Sequence, residues 1–295
     1  MFAVGCSSNK SGTANQGYSV MDKRGVKLDF KEKPKRIVSL FPSSDEILFS
    51  MVDHSRILAL SQWARNPVFS NITDKAKEIN LVASNSPEFL LKNKADIVFT
   101  REDMGQKPEM LKSLNDMGVP VYVFDGPQSI DGIKQVITKI GEAVGEKDEA
   151  KKMVAAMDAK LADIRKATGN IPPEQQKKAV FWSARGIIGG KGTLVNDILK
   201  HAQVKDVLED VKARGPVSKE MVITANPDYI IVIGFDPKGG NISSKTKEIL
   251  NDPSFANVNA VKNKNVVVMP VKYTSCNSQY VVESVAKIAK TVYGK

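Results

Sequence analysis

The chain has 295 residues, 42% of them hydrophobic and 26% charged, an ordinary composition for a folded globular protein and enough for one large or two medium cores. Its 43 Lys and Arg against 33 Asp and Glu give a formal charge of +10. The lysines are scattered among acids instead of gathered in a stripe, which argues against nucleic acid and for anionic ligands or an anionic membrane surface.

Residues 1–17 open with a short apolar, small-residue tract ending at Gly5-Cys6, followed by a run of Ser, Asn, Gly, Thr and Gln. This is the pattern of a lipoprotein signal remnant, with Cys6 as the lipidated residue and a flexible tether behind it; a charged n-region and a full h-region are missing. No apolar stretch approaches the ~20 residues of a membrane-spanning helix. Tyr18 to Phe30 alternates as a hairpin turning at Arg24-Gly25, and Arg36 to Leu40 reads as a buried strand. Pro42-Ser43-Ser44 then caps a helix from Asp45 through Met51, with its acids in the first turn where the helix dipole favours them. Strands follow at Ile57 to Leu60, Asp96 to Thr100 and Pro120 to Phe124, with a helix at Pro108 to Met117.

Gly126-Pro127 closes this first lobe (18–127), and residues 128–173 are helical. Ile133, Val136, Ile137, Ile140 and Val144 keep helical spacing, and Glu146 to Ala167 forms a second helix of ~33 Å at 1.5 Å per residue, long enough to bridge two lobes. The second lobe (174–295) repeats the order of parts, with strands at Ala179 to Trp182, Tyr229 to Ile233 and Asn265 to Met269 and helices at Thr193 to His201 and Gln279 to Val292. Strands alternating with helices predict an α/β fold of two Rossmann-like lobes with parallel sheets, joined by a single long interlobe helix.

The chain also repeats itself. Glu88 opens an apolar helical turn, and Asp96 follows eight positions later at the head of a β-branched strand. Glu220 and Asp228 repeat this arrangement 132 residues on. Two similar lobes therefore each present a Glu at an equivalent place.

The order and spacing of several stretches resemble the substrate-binding proteins of ABC importers for metal chelates: ferric siderophores, haem and cobalamin. These are Pro34 to Leu48, Ser86 to Leu91 with Ala95 to Val98, Met117 to Val121, Gly192 to Leu199, Val217 to Glu220, Asn226 to Ile231 and Ala260 to Pro270. The resemblance covers nearly the whole chain from Tyr18. It implies a ligand cleft between the two lobes, and a monomeric, extracytoplasmic protein, lipid-anchored or periplasmic, that delivers a chelate to a permease dimer. It also implies that Glu88 and Glu220 dock into arginine pockets on the two permease subunits. Two departures stand out. Asp45 replaces the Thr that many relatives carry before the first-helix Glu, and Tyr273 to Tyr280 replaces a stretch resembling Pro-Gly-Pro-Arg.

Ligand contacts are expected from loops at the carboxyl ends of strands. These supply Trp63, Arg65, Arg101, Arg185 and Tyr273, aromatic surfaces for a macrocycle or catecholate and arginines for its oxygens. With only His54 and His201, neither in a ligand-spaced pair, a chelated metal suits the chain better than a bare one, and no metal-binding residue or cofactor is assigned. A ferric siderophore is the first choice; a corrinoid or haem is the alternative. Cys276 is read as a small buried hydrophobe, with ligation of haem or cobalt the other reading. The loop Gly186 to Thr193 is not a phosphate loop, since Arg185 and Gly192 stand where Gly and Ser/Thr are needed; a tight strand-to-helix turn is the better account. A two-lobed enzyme acting in the cleft is the alternative from another class, although the chain lacks a His-based acid/base pair, a cluster-binding cysteine set and a GxSxG elbow, and no catalytic residue is assigned.

Overall fold

A computed structural model describes residues 17–101, 108–183, 186–211, 217–234 and 244–294. Cys6 and Arg185 lie outside them.

β1 (Tyr18–Met21) and β2 (Lys27–Phe30) form the expected antiparallel hairpin. Asp22, 5% exposed, closes it by accepting from Arg24 N and Val26 N, and also takes the Val123 amide. The hairpin is thereby stitched to the edge of the first sheet.

That sheet is wholly parallel. Its order is β5 (Leu81–Val82), β4 (Ile57–Leu60), β3 (Ile37–Ser39), β6 (Ile97–Arg101) and β7 (Val121–Phe124). Alternate side chains serve two layers. Ile37, Ile97, Phe99 and Tyr122 face one core, whereas Val38, Ala59, Val98, Val121 and Val123 face a second with Leu90, Leu111 and Leu114. Burial on both faces explains why these strands are apolar throughout.

The second sheet runs β10 (Lys205–Asp206), β8 (Lys178–Ser183), β11 (Tyr229–Gly234) and β12 (Val266–Pro270), all parallel. β9 (Gly186–Ile188) pairs antiparallel with the end of β8. The Gly-rich loop is therefore not the direct strand-to-helix turn expected from sequence. A short return strand precedes helix α6 (Leu194–His201), which Thr193 caps by accepting from Asn196 N at 3.2 Å.

Of the remaining helices, α1 is Pro42–Met51, α2 Pro87–Lys92, α3 Pro108–Asp116 and α4 Ile130–Val144. α5 is Lys147–Thr168, α7 Lys219–Ala225, α8 Ser244–Asn251 and α9 Asn259–Lys262. α10 (Val271–Thr274) and α11 (Val281–Tyr293) close the chain. The predicted bridge is α5, with 22 residues. It lies against α4, where a Cβ on Gly141 would meet Ala150 Cβ at 2.5 Å, so that close crossing requires glycine. One continuous core runs from Ile37 and Phe99 of the first sheet through Ile137, Met157 and Val285 to Phe181 and Ile231 of the second. The lobes thus share their inner layer.

The duplicated aspartates do the same structural work in each lobe. Asp96 accepts from Lys35 N at 2.7 Å and Arg36 N at 2.9 Å, at the entry of β3, and Asp228 accepts from Lys178 N at 2.9 Å, at the entry of β8. In each case the carboxylate fixes the start of the neighbouring parallel strand by satisfying amides outside the ladder.

Candidate functional site: the interlobe cleft

The carboxyl ends of β3, β4 and β6 lead into Phe41, the segment 61–71 and Arg101. The carboxyl end of β12 leads into α10 and a strap, residues 271–280, that crosses to the first lobe. Lys272 N donates to Val68 O at 3.0 Å, so the loop carrying Trp63 and the segment carrying Tyr273 adjoin.

Trp63 is 39% exposed and meets Phe69 edge-on with ring centroids 4.9 Å apart. Arg101 is only 7% exposed, and its guanidinium lies 4.7 Å from the centre of the Phe41 ring. Tyr273 is half-buried, with the ammoniums of Lys287 and Lys272 4.7 and 5.4 Å from its ring centre. Burial, then the nearby Glu283, raises its phenol pKa, so the ring is neutral at physiological pH. Arg65 is exposed, but its guanidinium donates to the Ile79 carbonyl of its own lobe. The structure thus sets Trp63, Arg101 and Tyr273 among further aromatic and cationic groups, and gives Arg65 a local partner. Phe41 and Lys272 follow the ends of β3 and β12 closely enough for the sequence to flag them, whereas Phe69, deep in a long loop, and Lys287, in the middle of α11, carry no such signal.

Beneath this surface lie two adjacent buried carboxyls, Asp45 and Glu46, 0% and 3% exposed, near the start of α1. Sequence reasoning treated them as acids attracted to the helix dipole; the fold instead turns both inward. Asp45 accepts from Ser61 N at 3.0 Å and from the Ser61 hydroxyl. Burial pushes its pKa up to about 7 against the opposing hydrogen bonds from Ser39 and Ser61. Glu46 accepts from Asn71 N at 2.7 Å, Asn71 Nδ2 at 3.0 Å and the Ser278 hydroxyl. Burial raises its pKa also, opposed first by Ser278. Cys276 packs here, buried, and desolvation followed by the charge of Glu46 drives its thiol well above the usual range. It stays a neutral, compact group, as the sequence suggested.

The remaining candidates resolve simply. His54 is held between Glu78 Oε2 and Phe49 O, each at 3.0 Å, and His201 Nε2 lies 3.9 Å from Asp197. Among the described residues no group of three or more His, Cys, Asp or Glu could hold a metal ion, and no helix is long and apolar enough to cross a membrane. In the Gly-rich loop, the Gly190 amide is taken at 2.7 Å by Asp206, a buried carboxylate that fills the place an anion would need. Glu88 and Glu220 are both exposed, in the first turns of α2 and α7.

The sequence matches the model of the periplasmic binding protein family over residues 37–273. It is 23% identical over 279 residues to an uncharacterized ABC transporter substrate-binding lipoprotein of Bacillus subtilis, covering 93% of this chain and 85% of that one. A cobalamin-binding protein of Halobacterium salinarum is 21% identical over 282 residues, covering 92% of this chain and 73% of its own length. Among solved structures, a possible iron-binding, periplasmic solute-binding protein of Staphylococcus epidermidis superposes with a TM-score of 0.76 at 27% identity, covering 89% of this chain and 100% of that one.

Proposed function

The chain belongs to the periplasmic binding protein family, and from that membership we propose that it is the extracytoplasmic substrate-binding component of an ABC importer, capturing a metal chelate in the cleft and handing it to a permease dimer. The observation that carries the ligand class is the pairing of flat aromatic surface with fixed positive charge. Trp63 packs on Phe69 in the segment after β4, Arg101 lies over Phe41 at the ends of the neighbouring strands β6 and β3, and two ammoniums flank Tyr273. Aromatic faces and cations together complement an anionic aromatic chelate, whose metal needs nothing further from the protein. The occupied histidines fit that reading. A ferric siderophore is the first choice, and the possible iron-binding protein of Staphylococcus epidermidis supports its iron, not its organic carrier. A corrinoid is the second, supported by the Halobacterium salinarum relative.

Arg185, in the segment after β8, completes the proposed ligand set from the second lobe, with Arg65 a contact once it leaves Ile79. Glu88 and Glu220 are the proposed permease contacts: equivalent exposed carboxylates on two lobes suit arginine pockets on two equivalent subunits. Cys6 is the proposed lipid attachment, supported by the lipoprotein name of the Bacillus subtilis relative.

The test is titration with ferric catecholate and hydroxamate siderophores, haem and cobalamin, followed by tryptophan quenching and native mass spectrometry. We expect tight binding of a ferric siderophore, with quenching that Trp63→Ala removes and affinity that Arg185→Ala lowers by about 1.5–3 kcal/mol, the range for a hydrogen bond to a charged group. Binding of cobalamin alone would overturn the siderophore choice. Binding of none of these would overturn the chelate reading.

A further inference from the structure

The loop 61–71 carries Trp63, Arg65 and Phe69, yet has no regular secondary structure to hold it. Its two ends are fixed by neighbouring residues of one helical turn. At the first end, Ser61 gives both its amide and its hydroxyl proton to Asp45, and the same hydroxyl oxygen accepts from Trp63 N at 3.2 Å. A continuous chain of bonds therefore runs from a fully buried carboxyl to the backbone of the exposed tryptophan. At the other end, Asn71 gives its amide and its side-chain NH2 to one oxygen of Glu46. The second Glu46 oxygen accepts from Ser278, on the strap from the other lobe. Gln279 adds bonds to Glu46 O at 2.9 Å and to Ser50 Oγ at 2.8 Å. Glu46 is thus bonded to both lobes.

Neither carboxyl reaches the cleft surface, so neither is a ligand contact. Their burial is costly unless the bonds they accept are worth keeping, and those bonds converge on the loop that forms one cleft wall. We propose that Asp45 and Glu46 are positioning residues: from the start of α1 they clamp both ends of the loop 61–71, and Glu46 ties that loop to the interlobe strap, so that the aromatic wall and the opposite lobe keep one fixed geometry. A loop held in this way presents Trp63 pre-organised, which lowers the ordering cost of binding. The inference rests on the cleft reading above for its consequence, but not for its geometry.

The chain contains two tryptophans, Trp63 and Trp182. Trp182 is 8% exposed and packs against Phe255 in the core of the second lobe, where it serves as an internal control. Incorporation of 5-fluorotryptophan gives two fluorine resonances, assigned with Trp182→Phe. In Asp45→Asn, which keeps shape and packing, the Trp63 resonance should shift and broaden while that of Trp182 stays in place. Ser61→Ala, which breaks the same link from the other side, should reproduce the change. Glu46→Gln should raise amide exchange at 68–72 and at 276–280 together, while leaving the strands of both sheets protected. Unmoved Trp63 resonances in both Asp45→Asn and Ser61→Ala, equal movement of Trp182, or exchange loosened uniformly through both lobes would each overturn the proposal. Where a ferric siderophore binds, Asp45→Asn should weaken it roughly threefold to tenfold, the worth of one neutral hydrogen bond; unchanged affinity would count against the clamp. Where none binds, the ligand reading fails, and the resonance and exchange results still decide the clamp.

Discussion

Asp45 shows how an acidic residue can be read correctly for its element and wrongly for its environment. Its position after Pro42-Ser43-Ser44 marks a helix start, and the helix is there. The sequence also held the sign of burial, since Leu48, Phe49 and Val52 lie three, four and seven residues on, which places Asp45 on the apolar face of its own helix. Its donor, Ser61, was not legible, because the bond depends on a pairing across sixteen residues that only the sheet brings about. The displaced pKa carries a consequence for stability. The carboxyl ordinarily titrates at 3.8 and in the fold at about 7, so folding favours its neutral form. The stabilisation linked to it is complete below about pH 4 and is lost as pH rises to about 7, on the order of 4 kcal/mol at most. Glu46 shifts in the same direction and adds to the trend. Thermal unfolding followed by circular dichroism should therefore show wild type losing several degrees more between about pH 5 and about pH 8 than Asp45→Asn. Parallel slopes would show that Asp45 is ionised in the fold across the whole range.

At the scale of elements, the repeated Asp and Glu sit in different surroundings. Asp96 and Asp228 each hold the entry of a neighbouring strand, whereas Glu88 and Glu220 point into solvent. Removing an aspartate strands backbone amides, so Asp96→Ala and Asp228→Ala should each lower unfolding stability by about 1–3 kcal/mol in urea titrations, with ligand affinity at intact folds unchanged. The glutamates should behave in the opposite way. The Glu88→Ala, Glu220→Ala double variant should keep its melting temperature and its ligand affinity, yet fail to support uptake in cells carrying the cognate permease. Transport at wild-type rate would remove the docking role. Long strands such as β6 and β11 were legible from their apolar runs, while β5, β9 and β10, two or three residues each, were not. So short an element has no periodicity to detect and exists only because a longer neighbour offers its edge.

For the molecule as a whole, the two-lobe plan and the 22-residue bridge were visible in the order of strands and in one uninterrupted helical pattern. The strap was not, because nothing local in Tyr273 to Gln279 points to α1. Together α5, the shared core and the strap bonds to Val68, Asn71, Glu46 and Ser50 leave the lobes little freedom to hinge, since bending would break helical hydrogen bonds or buried ones. Small-angle scattering should give closely superposable profiles with and without ligand; a compaction of several ångströms on binding would contradict this rigidity.

The bond from Ser278 to Glu46 joins positions 232 residues apart, and that separation orders events during synthesis. The first lobe leaves the ribosome complete in strands and helices, but with a carboxyl in its interior still waiting for a hydroxyl synthesised 232 residues later. Until Ser278 emerges, one oxygen of Glu46 must stay hydrated or take up a proton, and the loop beside it, though bonded to Asp45 and Glu46, has no tie to the second lobe. Chains truncated just before Ser278 would lack both this fastening and α11, whose Val281, Val285 and Ile288 belong to the shared core, so the polar tie and the last layer of apolar packing are completed together.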